Sequence, residues 1–238
     1  MRIALMVVRL FFQVPYMFFR IRRYGLYEDK FLHFEEAFAY IKKAVTKANH
    51  AGRVIVKAYG TENLPDKNGF IMFCNHQGLF DTLVFLESCP KPFAFLAKKE
   101  VRNTILLKQT IAALGSLTMD REDLRQSLKV INQITDEVKR GKNFLIFPEG
   151  TRSPEPNVMI DFKGGSFKSA TKAKCPIVPC ALVDSHKPFD ENSIKPVTVK
   201  LRYLPPLYYD EYKDMKTVQI AEAVKARIET AIAELIKT

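Results

Sequence analysis

The stretch "GFIMFCNHQGLFD", residues 69–81, sets an apolar run before a His and an Asp that stand five positions apart, with Gly78 between them. In a continuous helix that spacing turns two side chains about 140° away from each other. In a strand an odd spacing puts them on opposite faces. The pair can meet only across a turn, and Gly78 can take the positive φ such a turn can require. The stretch therefore predicts a strand, a turn and a helix, with His76 leaving the strand and Asp81 in the helix's first turn.

Outward from this point the chain keeps alternating. Short β-rich runs, "RVIVKAYG", "PFAFLA", "GSLTM", "NFLIF" and "PIVPCALV", are separated by stretches of helical periodicity, the pattern of an α/β domain. The expected fold is a mixed, largely parallel sheet flanked by helices, preceded by N-terminal amphipathic helices that associate with a membrane. "REDLRQSLKVINQITDEVKRG" reads as a helix capped by Asp120, with Glu122 and Asp123 in its first turn and Gly141 at its end. Its expected buried stripe is Leu124, Leu128, Ile131 and Val138. Residues 196–204 alternate as a strand, and residues 215–237 carry the stripe of a final amphipathic helix.

The composition narrows the class. With 238 residues, 47% of them hydrophobic, the chain can bury a full core. Its net charge of +11 favours an anionic partner: nucleic acid, a phospholipid surface or a phosphorylated substrate. Charge is the only feature that suggests nucleic acid, since no recognised motif is present, so no nucleic-acid partner is expected. Cys74, Cys89, Cys175 and Cys180 sit mostly in apolar stretches without C-x-x-C or zinc-type His spacing, which reads as buried free thiols, with no metal site and no cofactor.

"MRIALMVVRLFFQVPYMFFR", residues 1–20, is the most apolar segment, yet Arg9, Gln13 and Pro15 interrupt it, against a spanning helix, and no small-residue cleavage site marks a secretory signal. The expectation is an interfacial helix, with Arg2, Arg9, Arg20, Arg22 and Arg23 near head groups; a helix docked on its own domain is the alternative. A break at "RRYGLYEDK" and a second amphipathic helix, bearing Phe31, Phe34, Phe38, Ile41 and Val45, follow.

Four apolar runs end in polar residues: Asn75-His76, Lys98-Lys99-Glu100, Asp120-Arg121 and Glu149-Gly150-Thr151-Arg152. If the strands are parallel these ends share one edge, where open α/β sheets bind ligands. His76 with Asp81 has the form of a general base and its orienting carboxylate. No G-x-S-x-G nucleophile is present, and Cys74 inside "FIMFC" reads as core, so the base is expected to act on a hydroxyl carried by the substrate. Arg152 offers a fork suited to phosphate, Lys98 and Arg121 add charge, and Lys163 precedes two glycines and a helix start. A non-catalytic basic membrane module is the competing reading.

"NHQGLFD" at 75–81, "GSLTMDR" at 115–121, "FPEGTRS" at 147–153 and "CPIVPCAL" at 175–182 resemble, in order, the four motif blocks of the 1-acyl-sn-glycerol-3-phosphate acyltransferases. "FLAKKEV" and "FKGGSFKSA" are also similar to segments of that family, and the likeness runs from about residue 50 to 205. Thr118 stands where the second block usually has a bulkier residue. The resemblance implies transfer of a fatty acyl group from acyl-CoA or acyl carrier protein to the sn-2 hydroxyl of lysophosphatidate, at the cytoplasmic face of a cell membrane. Related enzymes acylate other lysolipids or glycerol 3-phosphate. It implies His76 as base, Asp81 as its partner, and Glu149, Gly150 and Arg152 in the acceptor-binding block. Asn75, Lys98, Arg121, Thr151 and Lys163 complete the expected substrate-binding set. The expected organisation is residues 1–49 as membrane-associating helices and 50–238 as the acyltransferase domain.

Overall fold

The computed structural model describes residues 1–29, 31–120 and 123–237. Its elements run α1 (Arg2–Arg9), α2 (Val14–Leu26), α3 (Phe34–Ala51), β1 (Val54–Tyr59), β2 (Ile71–Cys74), α4 (Asp81–Ser88), β3 (Phe93–Lys98), α5 (Leu107–Ala113) and β4 (Leu117–Met119). They continue with α6 (Leu124–Lys139), β5 (Asn143–Ile146), α7 (Lys168–Ala173), β6 (Ile177–Val183), α8 (Lys187–Asp190), β7 (Val197–Tyr203), α9 (Tyr209–Tyr212) and α10 (Thr217–Ile236).

The strands form one sheet in the order β1-β7-β6-β2-β5-β3-β4. β2 pairs in parallel with β5 and β6, and β3 in parallel with β5 and β4. β7 runs antiparallel to β6 and carries β1 parallel to itself, which makes the sheet mixed. Five successive strands thus end on one edge, the arrangement that gathers polar strand ends.

Side-chain alternation in β2 divides the core. Met72 and Cys74 join the layer built with α1 to α5, whereas Ile71 and Phe73 join the layer of α6, α7 and α10. Both faces of β2 and β5 are buried, as the continuous apolar runs of a central parallel strand require. Phe73 is fully buried and stacks on Phe167 with centroids 4.1 Å apart. Removal of a ring so enclosed costs about 3–5 kcal/mol.

Two readings of α6 are corrected. Its cap is Asp123, whose side chain accepts from the Gln126 N–H at 3.0 Å, and Asp120 lies outside the helix. Its buried residues are Val130, Ile134, Thr135 and Val138, while Leu124 and Leu128 are exposed; the first turn meets the end of β4 through polar groups, Gln126 donating to the Thr118 carbonyl and Ser127 to the Asp120 carbonyl. Gly141 does follow the helix end, with φ of 92°.

The N-terminus differs from the single helix and later break read in the sequence. α1 and α2 meet at 96°, Pro15 sits in the first turn of α2 where a missing N–H costs nothing, and α2 runs on through Arg22 and Arg23. Both helices are apolar on two sides. Met6, Leu10, Ile21 and Tyr24 face inward, whereas Ile3, Val8, Phe11, Phe12, Tyr16 and Phe19 are exposed, Phe12 to 91%. Arg2 is not a head-group contact: it is buried, and its guanidinium donates to the carbonyls of Gly52 (2.5 Å), Lys195 (2.9 Å) and Pro188 (3.0 Å). No single helix among the described residues is long and apolar enough to cross a membrane; the bent pair α1–α2 has the length and composition only when taken together.

Candidate active site

β2 ends at Cys74 and α4 begins at Asp81, so residues 75–80 form the turn that brings His76 and Asp81 together. His76 Nδ1 lies 2.6 Å from Asp81 Oδ2. The same carboxylate accepts from the N–H of Gln77 (2.7 Å), the N–H of Gly78 (3.0 Å) and the Ser185 hydroxyl (2.6 Å). Asp81 is wholly buried, and its place at the start of α4 puts its charge at the favourable end of the helix dipole. The His76 side chain keeps 21% exposure and stacks on Phe147, with centroids 4.4 Å apart. A carboxylate facing Nδ1 selects the neutral tautomer with its proton there and leaves Nε2 as the acceptor.

Gly78 is needed for proximity. Its φ is not in the left-handed region, but a Cβ there would stand 3.2 Å from the Cα of His186. The turn therefore packs directly on the chain after β6.

The loop after β5 clamps the main chain of His76 from both sides. Buried Glu149 accepts from the His76 N–H at 2.8 Å, and the His76 carbonyl accepts from the Ser153 N–H at 2.9 Å. Burial pushes the Glu149 carboxyl up to about 6, with its hydrogen bonds from His76 and Ile160 opposing the shift. Gly150, at φ 79°, makes the bend that follows, and a Cβ there would meet the Lys163 side chain, with Nζ at 3.1 Å.

These contacts divide the residues expected to bind substrate. Thr151, Arg152 and Lys163 are exposed on the loop beside His76, and Arg152 forms no ion pair with a described residue. Glu149 and Asn75 are buried and their polar atoms are engaged. The Asn75 amide donates to the Leu182 carbonyl (2.9 Å) and accepts from the Leu182 N–H (2.8 Å), extending the β2–β6 ladder by a side chain. They shape the site rather than offer it free groups. Lys98 ends β3, two strands from β2, and pairs with Glu100 at 3.1 Å in an exposed ion pair. Arg121 lies outside the described residues. Cys74 is fully buried and its thiol is pushed well above the usual range by desolvation, which suits a core residue and not a thiolate nucleophile.

Sequence reasoning missed the other half of the enclosure. Ser185, Gln77, Asn157, Asp184 and His186 form a network around the turn: Gln77 Nε2 donates to Leu182 O and Asn157 Oδ1, both at 2.8 Å, and His186 Nδ1 lies 3.3 Å from Gln77 Oε1. A signal was present. β6 is a fifth parallel strand, and the polar residues at its end, Asp184-Ser185-His186, obey the same rule that singled out the other four ends.

The arrangement can accept a proton at Nε2, hold the resulting imidazolium against a buried carboxylate, and meet an anion with the Arg152 fork and the Lys163 ammonium.

Known proteins share this chain's pattern. The acyltransferase family profile matches residues 55–183. The 1-acyl-sn-glycerol-3-phosphate acyltransferase of Saccharomyces cerevisiae is 36% identical over 126 residues, 52% of this chain and 41% of the relative. That of Cocos nucifera is 29% identical over 159 residues, 66% of this chain and 51% of the relative. The chain spans about half the length of these curated relatives. The crystal structure of the 1-acyl-sn-glycerophosphate (LPA) acyltransferase PlsC from Thermotoga maritima is similar across 100% of this chain and 99% of its own, with TM-score 0.76 and 25% identity. With more than half its residues under the family profile and the His76–Asp81 pair inside that span, the chain belongs to the acyltransferase family.

Proposed function

We propose that the protein transfers a fatty acyl group from a thioester donor, acyl-CoA or acyl carrier protein, to the sn-2 hydroxyl of 1-acyl-sn-glycerol 3-phosphate, making phosphatidate. The observation that carries the proposal is the His76 Nδ1 to Asp81 Oδ2 contact of 2.6 Å, with exposed Arg152 and Lys163 on the adjoining loop. His76 Nε2 takes the proton of the sn-2 hydroxyl as its oxygen attacks the thioester carbonyl. The tetrahedral intermediate collapses, the C–S bond breaks, and the proton on His76 passes to the leaving thiolate. Asp81 fixes the ring and stabilises the imidazolium between the two transfers. A thiolate leaves readily, so no covalent acyl-enzyme is required.

Arg152 and Lys163 favour an acceptor that carries a phosphate over a neutral lysolipid. The exposed apolar side of α1 and α2 is proposed to rest on the cytoplasmic face of a membrane, where product and acceptor reside. The test is a panel: the purified protein is mixed with a long-chain acyl-CoA or acyl carrier protein and with lysophosphatidate, glycerol 3-phosphate or a neutral lysolipid, and thiol release and product are followed. Phosphatidate should form fastest. Faster acylation of the neutral lysolipid would reassign the acceptor, and no transfer in any arm would remove the proposal.

A further inference from the structure

The turn after β6 meets the catalytic turn where it is most enclosed. Asp81 is wholly buried, so its oxygens must find their donors within the protein. Three of the donors, His76 Nδ1, Gln77 N–H and Gly78 N–H, belong to its own turn. The fourth is the Ser185 hydroxyl, 2.6 Å from Oδ1, supplied from 104 residues further along the chain.

Ser185 is itself fully buried, and its seat is fixed on several sides. Asp184, just before it, adopts φ of 65°, a left-handed conformation that aspartate takes more readily than most non-glycine residues and that local hydrogen bonds fix here. The surroundings are Asn157, whose Oδ1 accepts from the Asp184 N–H and whose Nδ2 donates to Asp184 Oδ1, both at 2.9 Å. Beyond Ser185, α8 is pinned by the bond from Arg2 to the Pro188 carbonyl at 3.0 Å. The turn is thus held on both sides of Ser185.

We propose that Ser185 is a positioning residue for the His76–Asp81 pair: its hydroxyl holds Oδ1 so that Oδ2 stays aimed at His76 Nδ1, and it draws charge from the carboxylate that faces the ring. The proposal rests on the general-base reading of His76. The other ionisable groups around the carboxylate are Cys74 on β2, Glu149 after β5, and Asp184, His186, Lys187 and Asp190 on the turn and α8. None of them hydrogen-bonds to Asp81 among the described residues, so the Ser185 contact is the adjustable one.

The test compares Ser185→Ala and Ser185→Thr with the parent, as full chains. In Ser185→Ala, kcat should fall about tenfold while the acceptor KM stays within about twofold, the effect of losing one hydrogen bond to a charged group outside the binding surface. A carboxylate deprived of that donor attracts the imidazolium more strongly, so the acid limb of kcat/KM should move upward by about half to one pH unit. Ser185→Thr, which keeps the hydroxyl, should restore both. The 1H–15N spectrum of the His76 ring, recognised by its loss in His76→Ala, should show the same upward displacement with no substrate present. That readout stands even if the acyl-transfer reading fails. If Ser185→Ala does not fold, Ser185→Cys, a weaker donor, should show the displacement in the same direction. A His76 titration left at its parent position in a folded variant without the hydroxyl, whatever happens to Tm, would overturn the proposal and leave Ser185 as a filler of the core.

Discussion

The two walls of the site are built in opposite ways. On one side, residues 75–81 are locked: the Asp81 carboxylate receives four donors, Asn75 is paired twice with Leu182, and the main chain of His76 is held on both sides. On the other side, Thr151, Arg152 and Lys163 stand exposed. The difference separates two tasks. A base must be held within a few tenths of an ångström of its geometry before the acceptor arrives. An anion can instead be met by cations that settle around it, and their rearrangement is offset by charge-assisted hydrogen bonds.

The comparison breaks first at the locked wall. His76→Ala should lower kcat by about 10²-fold or more, the loss expected when a general base is removed; acyl transfer by a folded variant measures this, and parent-like turnover would remove His76 from the chemistry. Asp81→Asn should be nearly as severe, because an amide can present its N–H to Nδ1 and select the wrong tautomer. Near-full activity there would make Asp81 a structural residue only.

The exposed wall should respond differently. Arg152→Lys keeps the charge and loses the fork, so the KM for a phosphorylated acceptor should rise about tenfold, with kcat and donor KM changed little. Selective loss of donor binding would move Arg152 away from the acceptor phosphate. At the N-terminus, Phe12→Ser changes a side chain that contacts solvent over 91% of its surface, so it should leave Tm unchanged while lowering cosedimentation with anionic vesicles several-fold. It is a cleaner probe than truncation, which would strip Arg2, Met6, Ile21 and Tyr24 from the core. Unchanged sedimentation would remove this face of α1 and α2 as the proposed membrane contact.

Glu149 touches stability and not turnover. Its carboxyl is pushed up to about 6 by burial, so the folded state binds a proton that the unfolded state has already released. Its share of stability is therefore greatest at low pH and falls as pH rises between about 4.5 and 6, by roughly 2 kcal/mol in all. Urea midpoints taken across that range should show the decline in the parent and a flatter profile in Glu149→Gln. The same slope in both would assign it to other groups.

Much of this was legible in the residues. The apolar run "GFIMFC" and the His-Asp spacing located β2, the turn and α4, and the alternation of short strands with helices gave a largely parallel sheet. Periodicity failed at the start of α6: Leu124 and Leu128 fall on a helical stripe but are exposed, and the contact with the end of β4 is made there by Gln126 and Ser127. Apolarity failed at the N-terminus for a related reason. A helix buried on one side and apolar on the other has the same composition as a helix that only floats on lipid, so Arg2 read as a surface charge although it anchors three carbonyls. Ser185 stayed hidden because a serine at a strand end carries no charge, and only the packing of β6 against β2 shows what its hydroxyl touches.

Direct transfer to an acceptor hydroxyl activated by His76, as proposed, is tested by thiol release in a single turnover. Excess protein is mixed rapidly with acyl donor, with and without lysophosphatidate, and free thiol and phosphatidate are quantified together. Direct transfer gives one thiol for each phosphatidate when the acceptor is present and no rapid release without it. A burst of thiol approaching one equivalent in the absence of acceptor, with acyl mass retained on the chain, would contradict it.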